Sequence, residues 1–181
     1  MENPRAYARE RIYMRKLLTL LFAFLVICNI TFIFYQSLQD GESSSAASGA
    51  VSDVVADVVA PDLSQRPDTE QKNLMDKIHN WVRKMAHAIE FAGLGFFFCA
   101  FILSLQLADK IPFYYKLLSA LLFSVSIAVI DEILQLGVEG RAFEMKDIGV
   151  DSIGAVIGIT IAFLLGLLVQ RHWHKRQALN H

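Results

Sequence analysis

Four stretches of the chain are almost continuously apolar, and charged residues fence each of them. Residues 17–35 hold no charge at all; residues 91–107, 117–130 and 148–169 follow, the last with Asp151 in its first turn. A hydrocarbon core about 30 Å thick needs roughly 20 helical residues to cross it. The first run meets that length alone. The third is too short, because its 14 residues cover only about 21 Å at 1.5 Å per residue. To span, that helix must continue through Asp131, Glu132 and Gln135 to about Leu136. The second run must likewise begin near Met85 and include Glu90. The pattern predicts an all-α polytopic membrane protein with four transmembrane helices, some of whose acids lie within the span ends.

The segment between the first two spans carries a different pattern. "SLQDGESSSAASG" is rich in Ser and Gly and reads as loose. "AVSDVVADVVAP" then places Val51, Val54, Val55, Val58 and Val59 at helical spacing, with Asp53 and Asp57 opposite, until Pro61 stops it. This predicts a short amphipathic helix that lies on the membrane surface or caps the bundle, with the valine stripe as its packing face. "NLMDKIHNWV" repeats the pattern through Leu74, Ile78, Trp81 and Val82 and leads into the second span. The predicted organisation is a basic N-terminus (1–16), a first span (17–36), an extracytoplasmic loop with the amphipathic helix (37–82), a core of two spans and the start of the fourth (83–160), and the end of that span with a basic tail (161–181).

Composition agrees with the membrane class: 54% of residues are hydrophobic and the mean hydropathy is +0.40, above what a soluble domain carries. Charge orients the bundle. With four spans, the termini and the 108–116 turn share one side, which holds ten of the 17 Lys and Arg residues. The positive-inside rule places that side, and both termini, in the cytoplasm of a cell membrane. Tyr35 and Trp81 then mark the outer interface; Tyr114, Tyr115 and Trp173 mark the inner one. The first span reads as an uncleaved anchor, since its apolar run exceeds the h-region of a signal peptide. Cys28 and Cys99 fall inside separate spans, away from polar motifs, and read as apolar packing residues. His172 and His174 belong to a basic tail with an interfacial Trp rather than to a metal site. Nothing resembles a nucleic-acid or nucleotide motif, no cofactor or metal is expected, and membrane lipid is the expected partner.

The chemistry gathers at span ends. Arg83, His87 and Glu90 share one face of the second span, and Asp131 and Gln135 share one of the third, with Glu132 a step round. Asp147 and Asp151 share a face of the fourth, which continues through Gly154 and Gly158. Small residues at that spacing let helices approach closely, so these acids should face the bundle rather than lipid. Together the ends predict a shallow outward pocket, with Arg141 as counter-ion because its guanidinium grips carboxylates bidentately. Three readings stay open for it: a network that pins the helices, a site for a headgroup, peptide or amphiphilic drug, and a metal-assisted catalytic site using His87, Glu90, Asp131 and Glu132. No H-E-x-x-H or G-x-S-x-G motif favours the last.

"RKMAHAIEFAGLG", "DEILQLGVEGR" and "DIGVDSIGAVIG", in this order, resemble the VanZ-like membrane proteins of Gram-positive bacteria. The resemblance falls on Arg83, Lys84, His87, Glu90, Phe91, Asp131, Glu132, Gln135, Arg141, Asp147, Gly154 and Gly158, over about residues 80–160. Phe91 stands where Tyr is commoner, and Asp151 where Asn is also common. The resemblance implies an envelope protein of a family with one member associated with resistance to the glycopeptide teicoplanin. The resemblance does not supply a molecular mechanism; taken together with the outward pocket read from the span ends, it leads to the expectation that a lipophilic antibiotic, a membrane lipid or an envelope precursor is engaged there.

Overall fold

A computed structural model of the protein describes residues 4–39, 41–138 and 143–179. Five α-helices follow in order, and no strand occurs among the described residues: α1 (Pro4–Ser37), α2 (Gly41–Val59), α3 (Asp68–Ser104), α4 (Phe113–Gln135) and α5 (Met145–Leu179). All but α2 are long and apolar enough to cross a membrane. Their outward faces are lined by exposed large apolar residues such as Leu20, Phe24, Ile27 and Leu168, as lipid-facing helices require. The chain is an all-α polytopic membrane protein.

The helix ends follow from local chemistry. Pro67 and Pro112 stand just before α3 and α4 in extended conformation, where a residue without an N–H and with fixed φ deprives the helix of nothing. Asp68 and Glu70 fill the first turn of α3, the end at which a helix favours negative charge. As span length demanded, α4 runs on through Asp131 and Glu132 to Gln135. α5 opens at Met145, so Asp147 occupies its first turn and Asp151 lies in the second, one turn deeper than the sequence reading placed it. The predicted basic N-terminus is helical from Pro4 and continuous with the first span.

Contacts at the two ends of the bundle fix the up-and-down topology. At one end Arg15 of α1 clamps the connection between α3 and α4. Its guanidinium donates to both carboxylate oxygens of Asp109 (2.6 and 2.8 Å) and to the carbonyls of Ser104 and Leu105 (3.3 and 3.0 Å). The Ser104 carbonyl is one that the end of α3 leaves without a helical partner, and that of Leu105 also accepts the backbone N–H of Ala108. At the other end, Ser37 of α1 donates to Asp131 of α4 at 2.5 Å. Between the ends, Val26, Ile33, Phe91, Leu94, Ile127 and Ala128 form one buried cluster from α1, α3 and α4. Cys99, Ala120, Ile159 and Ala162 form another from α3, α4 and α5. Cys99 is thus a core packing residue, whereas Cys28 is exposed; both are free thiols.

α3 and α5 make the most extensive contact, and it is built of small residues. A Cβ added to Gly154 would strike the carbonyl oxygen of Ala88, and one added to Gly158 that of Ala92. Gly95 of α3 faces Ala155 of α5 in the same manner. The Gly154/Gly158 stripe therefore does what its spacing predicts. Its mate, Ala88, Ala92 and Gly95, was not recognised in the sequence.

The amphipathic helix α2 forms and ends at Val59 just before Pro61, but it begins at Gly41, so most of the Ser/Gly-rich stretch read as loose is helical, and it packs mainly on other residues than the valine stripe. Ser52, Ala56 and Ala60 are buried, with Ala56 against Ile78 and Val82 of α3. Val51, Val54, Val58 and Val59 are 55 to 77% exposed. The small residues dock, Val55 alone of the valine stripe packs beside them half-buried, and the other four valines are left outward.

Candidate functional site

At the end of the bundle where α1 and α4 finish and α5 begins, six carboxylates converge: Glu90, Asp131, Glu132, Glu144, Asp147 and Asp151. The helices dictate this. α3 offers Lys84 and His87 one turn apart, α4 carries its acids in its last turns, and the close α3–α5 approach brings Asp147 and Asp151 in beside them. The acids face the bundle, as the Gly stripe predicted. Asp131, Glu132 and Asp151 are buried, each no more than 1% exposed, and Gln135 is buried with them.

The site has a floor and a rim. In the floor, Asp131 accepts from Ser37 Oγ on Oδ1 (2.5 Å) and from Gln135 Nε2 on Oδ2 (3.0 Å). His87 Nδ1 lies 3.9 Å from Glu90 Oε2. Among the described residues, Glu90 Oε2 and Asp151 Oδ1 are buried without a hydrogen-bond partner. At the rim, the Lys84 ammonium pairs with Asp147 and, at 3.3 Å, with Glu144. These three side chains are partly open, at 26, 15 and 48% exposure.

One expectation changes here. Glu132 does not look into an open pocket: its Oε2 accepts the backbone N–H of Glu144 at 2.9 Å, tying the start of α5 back to α4. The counter-ion that the described hydrogen bonds bring to the acids is Lys84. Arg141, assigned that part from sequence, lies outside the described residues. Arg83 donates to Asn80 of its own helix at 3.3 Å and has no described bond to the cluster. Ser37 and Glu144 are site residues that sequence reasoning missed. A serine immediately after an apolar span was the available signal for the first.

Magnitudes decide what kind of feature this is. Hydrogen bonds between membrane helices average about 0.6 kcal/mol. An ionised group left uncompensated in a protein interior costs several kcal/mol. Glu90 Oε2 and Asp151 Oδ1, buried without a hydrogen-bond partner among the described residues, are therefore expensive to keep as scaffold alone. Ionisable residues kept at such cost within spans commonly mark sites of action. The arrangement can neutralise a positive charge at its floor and pair with a zwitterionic group at its rim.

His87, Asp131 and Asp151 each place one ligand atom within 4.8 Å of the other two. This is a different set from the His87, Glu90, Asp131 and Glu132 that spacing offered. Comparison with known proteins gives one family: residues 22–166 match the family model described as VanZ/LLP1. No curated protein and no solved structure matches the chain.

Proposed function

The chain belongs to the VanZ/LLP1 family, and from that premise we propose that it works in the cell envelope of a Gram-positive bacterium. There it lowers susceptibility to lipophilic glycopeptides such as teicoplanin and to other membrane-active compounds. It does so by engaging the headgroup of an envelope lipid or of the drug itself at the acid-rich bundle end. The distribution of Lys and Arg favours an arrangement with both termini cytoplasmic and this end at the outer leaflet. The observation that carries the reading is the rim. Lys84 and Glu144 stand partly exposed and 3.3 Å apart, a cation and an anion side by side above buried acids. That pairing complements a zwitterionic headgroup, whose phosphate or carboxylate meets Lys84 while its amine meets Glu144.

The test is genetic. A deletion strain should be more susceptible to teicoplanin-like glycopeptides and lipopeptides than its parent, and an overexpressing strain less so. Identical inhibitory concentrations for deletion, parent and overexpressing strains, across glycopeptides, lipopeptides and cationic peptides, would contradict the reading.

A further inference from the structure

We infer that His87, Asp131 and Asp151 hold a divalent transition cation, of the Zn²⁺ or Mn²⁺ class, at the floor of the bundle-end site. The inference rests on the geometry of the floor and not on the susceptibility reading. Each of the three residues comes from a different helix, α3, α4 and α5, and their ligand atoms all lie within 4.8 Å of one another. A tetrahedral shell at 2.0–2.2 Å would set such atoms about 3.4 Å apart, so small side-chain adjustments close the shell on an ion.

The second observation is Asp151. It is 1% exposed, it is aimed into this group, and its Oδ1 has no hydrogen-bond partner among the described residues. A buried carboxylate oxygen in that position calls for a positive charge, and a bound cation supplies it. Asp131 is prepared as ligands usually are, with Ser37 and Gln135 fixing its two oxygens; such outer partners orient the metal-facing lone pairs. One imidazole with two carboxylates suits Zn²⁺ or Mn²⁺ better than Ca²⁺ or Mg²⁺, which favour oxygen alone. Three protein ligands leave a fourth position for water.

The test uses the full chain, purified in detergent without a polyhistidine tag and stripped with chelator. ZnCl₂ or MnCl₂ is added alone, and bound metal per chain and melting temperature are measured. One ion per chain in at least one arm, with a raised melting temperature, is expected; the arm with tighter binding identifies the metal. Asp151→Asn keeps the shape and removes a buried charge. It should melt no lower than the stripped wild type, yet bind on the order of 100-fold more weakly and lose the metal-dependent rise. Should that variant fail to accumulate, His87→Gln gives the same comparison. Absence of binding in both arms overturns the proposal. So does binding undiminished in folded Asp151→Asn or His87→Gln, which would place the metal elsewhere. Because these readouts need no cell, their failure is separate from a failure of the susceptibility reading.

Discussion

Gly158→Ala should sharply reduce folded protein, while Gly149→Ala on the same helix should not. A Cβ at 158 meets the Ala92 carbonyl oxygen and the backbone N of Phe96, whereas one at 149 meets nothing within 4 Å. Overpacking typically costs 1–3 kcal/mol. Here the obstacle is backbone, which no rotamer change relieves, so α3 and α5 must separate along their whole contact. The expected loss is on the order of 3 kcal/mol, a large part of a stability that is commonly about 5–15 kcal/mol. Moving α5 also draws Asp151 away from His87 and Asp131, so site and fold should fail together. At the exposed Gly149, alanine gains about 1 kcal/mol of helix propensity. Detergent-solubilised yield and melting temperature check both; equal behaviour of the two variants would refute the close packing.

Lys84→Met should have the second largest effect on stability, and Asp147→Asn should largely reverse it. Removing one partner of a fully buried ion pair costs about 3–5 kcal/mol, because the other charge is left without compensation. Lys84 is 26% exposed and Asp147 15%, and screening by water reduces the expectation to about 2 kcal/mol. If the loss comes from the stranded Asp147 carboxylate, neutralising it in the double variant recovers most of the melting temperature. Additive losses in a double-mutant cycle would mean that the two groups do not interact.

These residues also show what could be seen in the sequence. Span ends were legible because bilayer thickness is an external ruler: the run at 117–130 is too short, so Asp131, Glu132 and Gln135 had to lie within the helix, and α4 ends at Gln135. The Gly154/Gly158 stripe was legible because glycines four apart are uncommon without a packing reason. Its partners Ala88 and Ala92 were not, since alanine is ordinary in any span and only the opposing helix gives it meaning. Lys84 was not singled out as a counter-ion for a related reason. Spacing along one helix tells which residues share a face, but not which residue of another helix meets them. So the meeting of Lys84 with Asp147 and Glu144 could not be read from spacing, and Arg141, named as counter-ion on its chemistry, lies outside the described residues. The face of α2 was misread because the soluble-protein rule, large apolar residues inward, was applied beside a membrane. There, small residues pack helices together and large apolar ones can remain outward, which is how Ala56 comes to be buried and Val58 exposed.

The central claim is that the rim of this bundle end acts on a ligand instead of only joining helices, and Glu144→Gln tests it most directly. Glu144 is 48% exposed at its side chain, so its pair with Lys84 contributes at most about 1 kcal/mol. Its backbone N–H, which donates to Glu132, is untouched by the substitution. Glutamine preserves the shape and removes only the charge. The measurement is the inhibitory concentration of a teicoplanin-like glycopeptide for a strain whose sole copy is Glu144→Gln, with membrane-protein level and melting temperature recorded in parallel. The account predicts wild-type accumulation and melting together with the susceptibility of the deletion strain. Full protection at normal protein level, or protection lost only in proportion to stability, would contradict it.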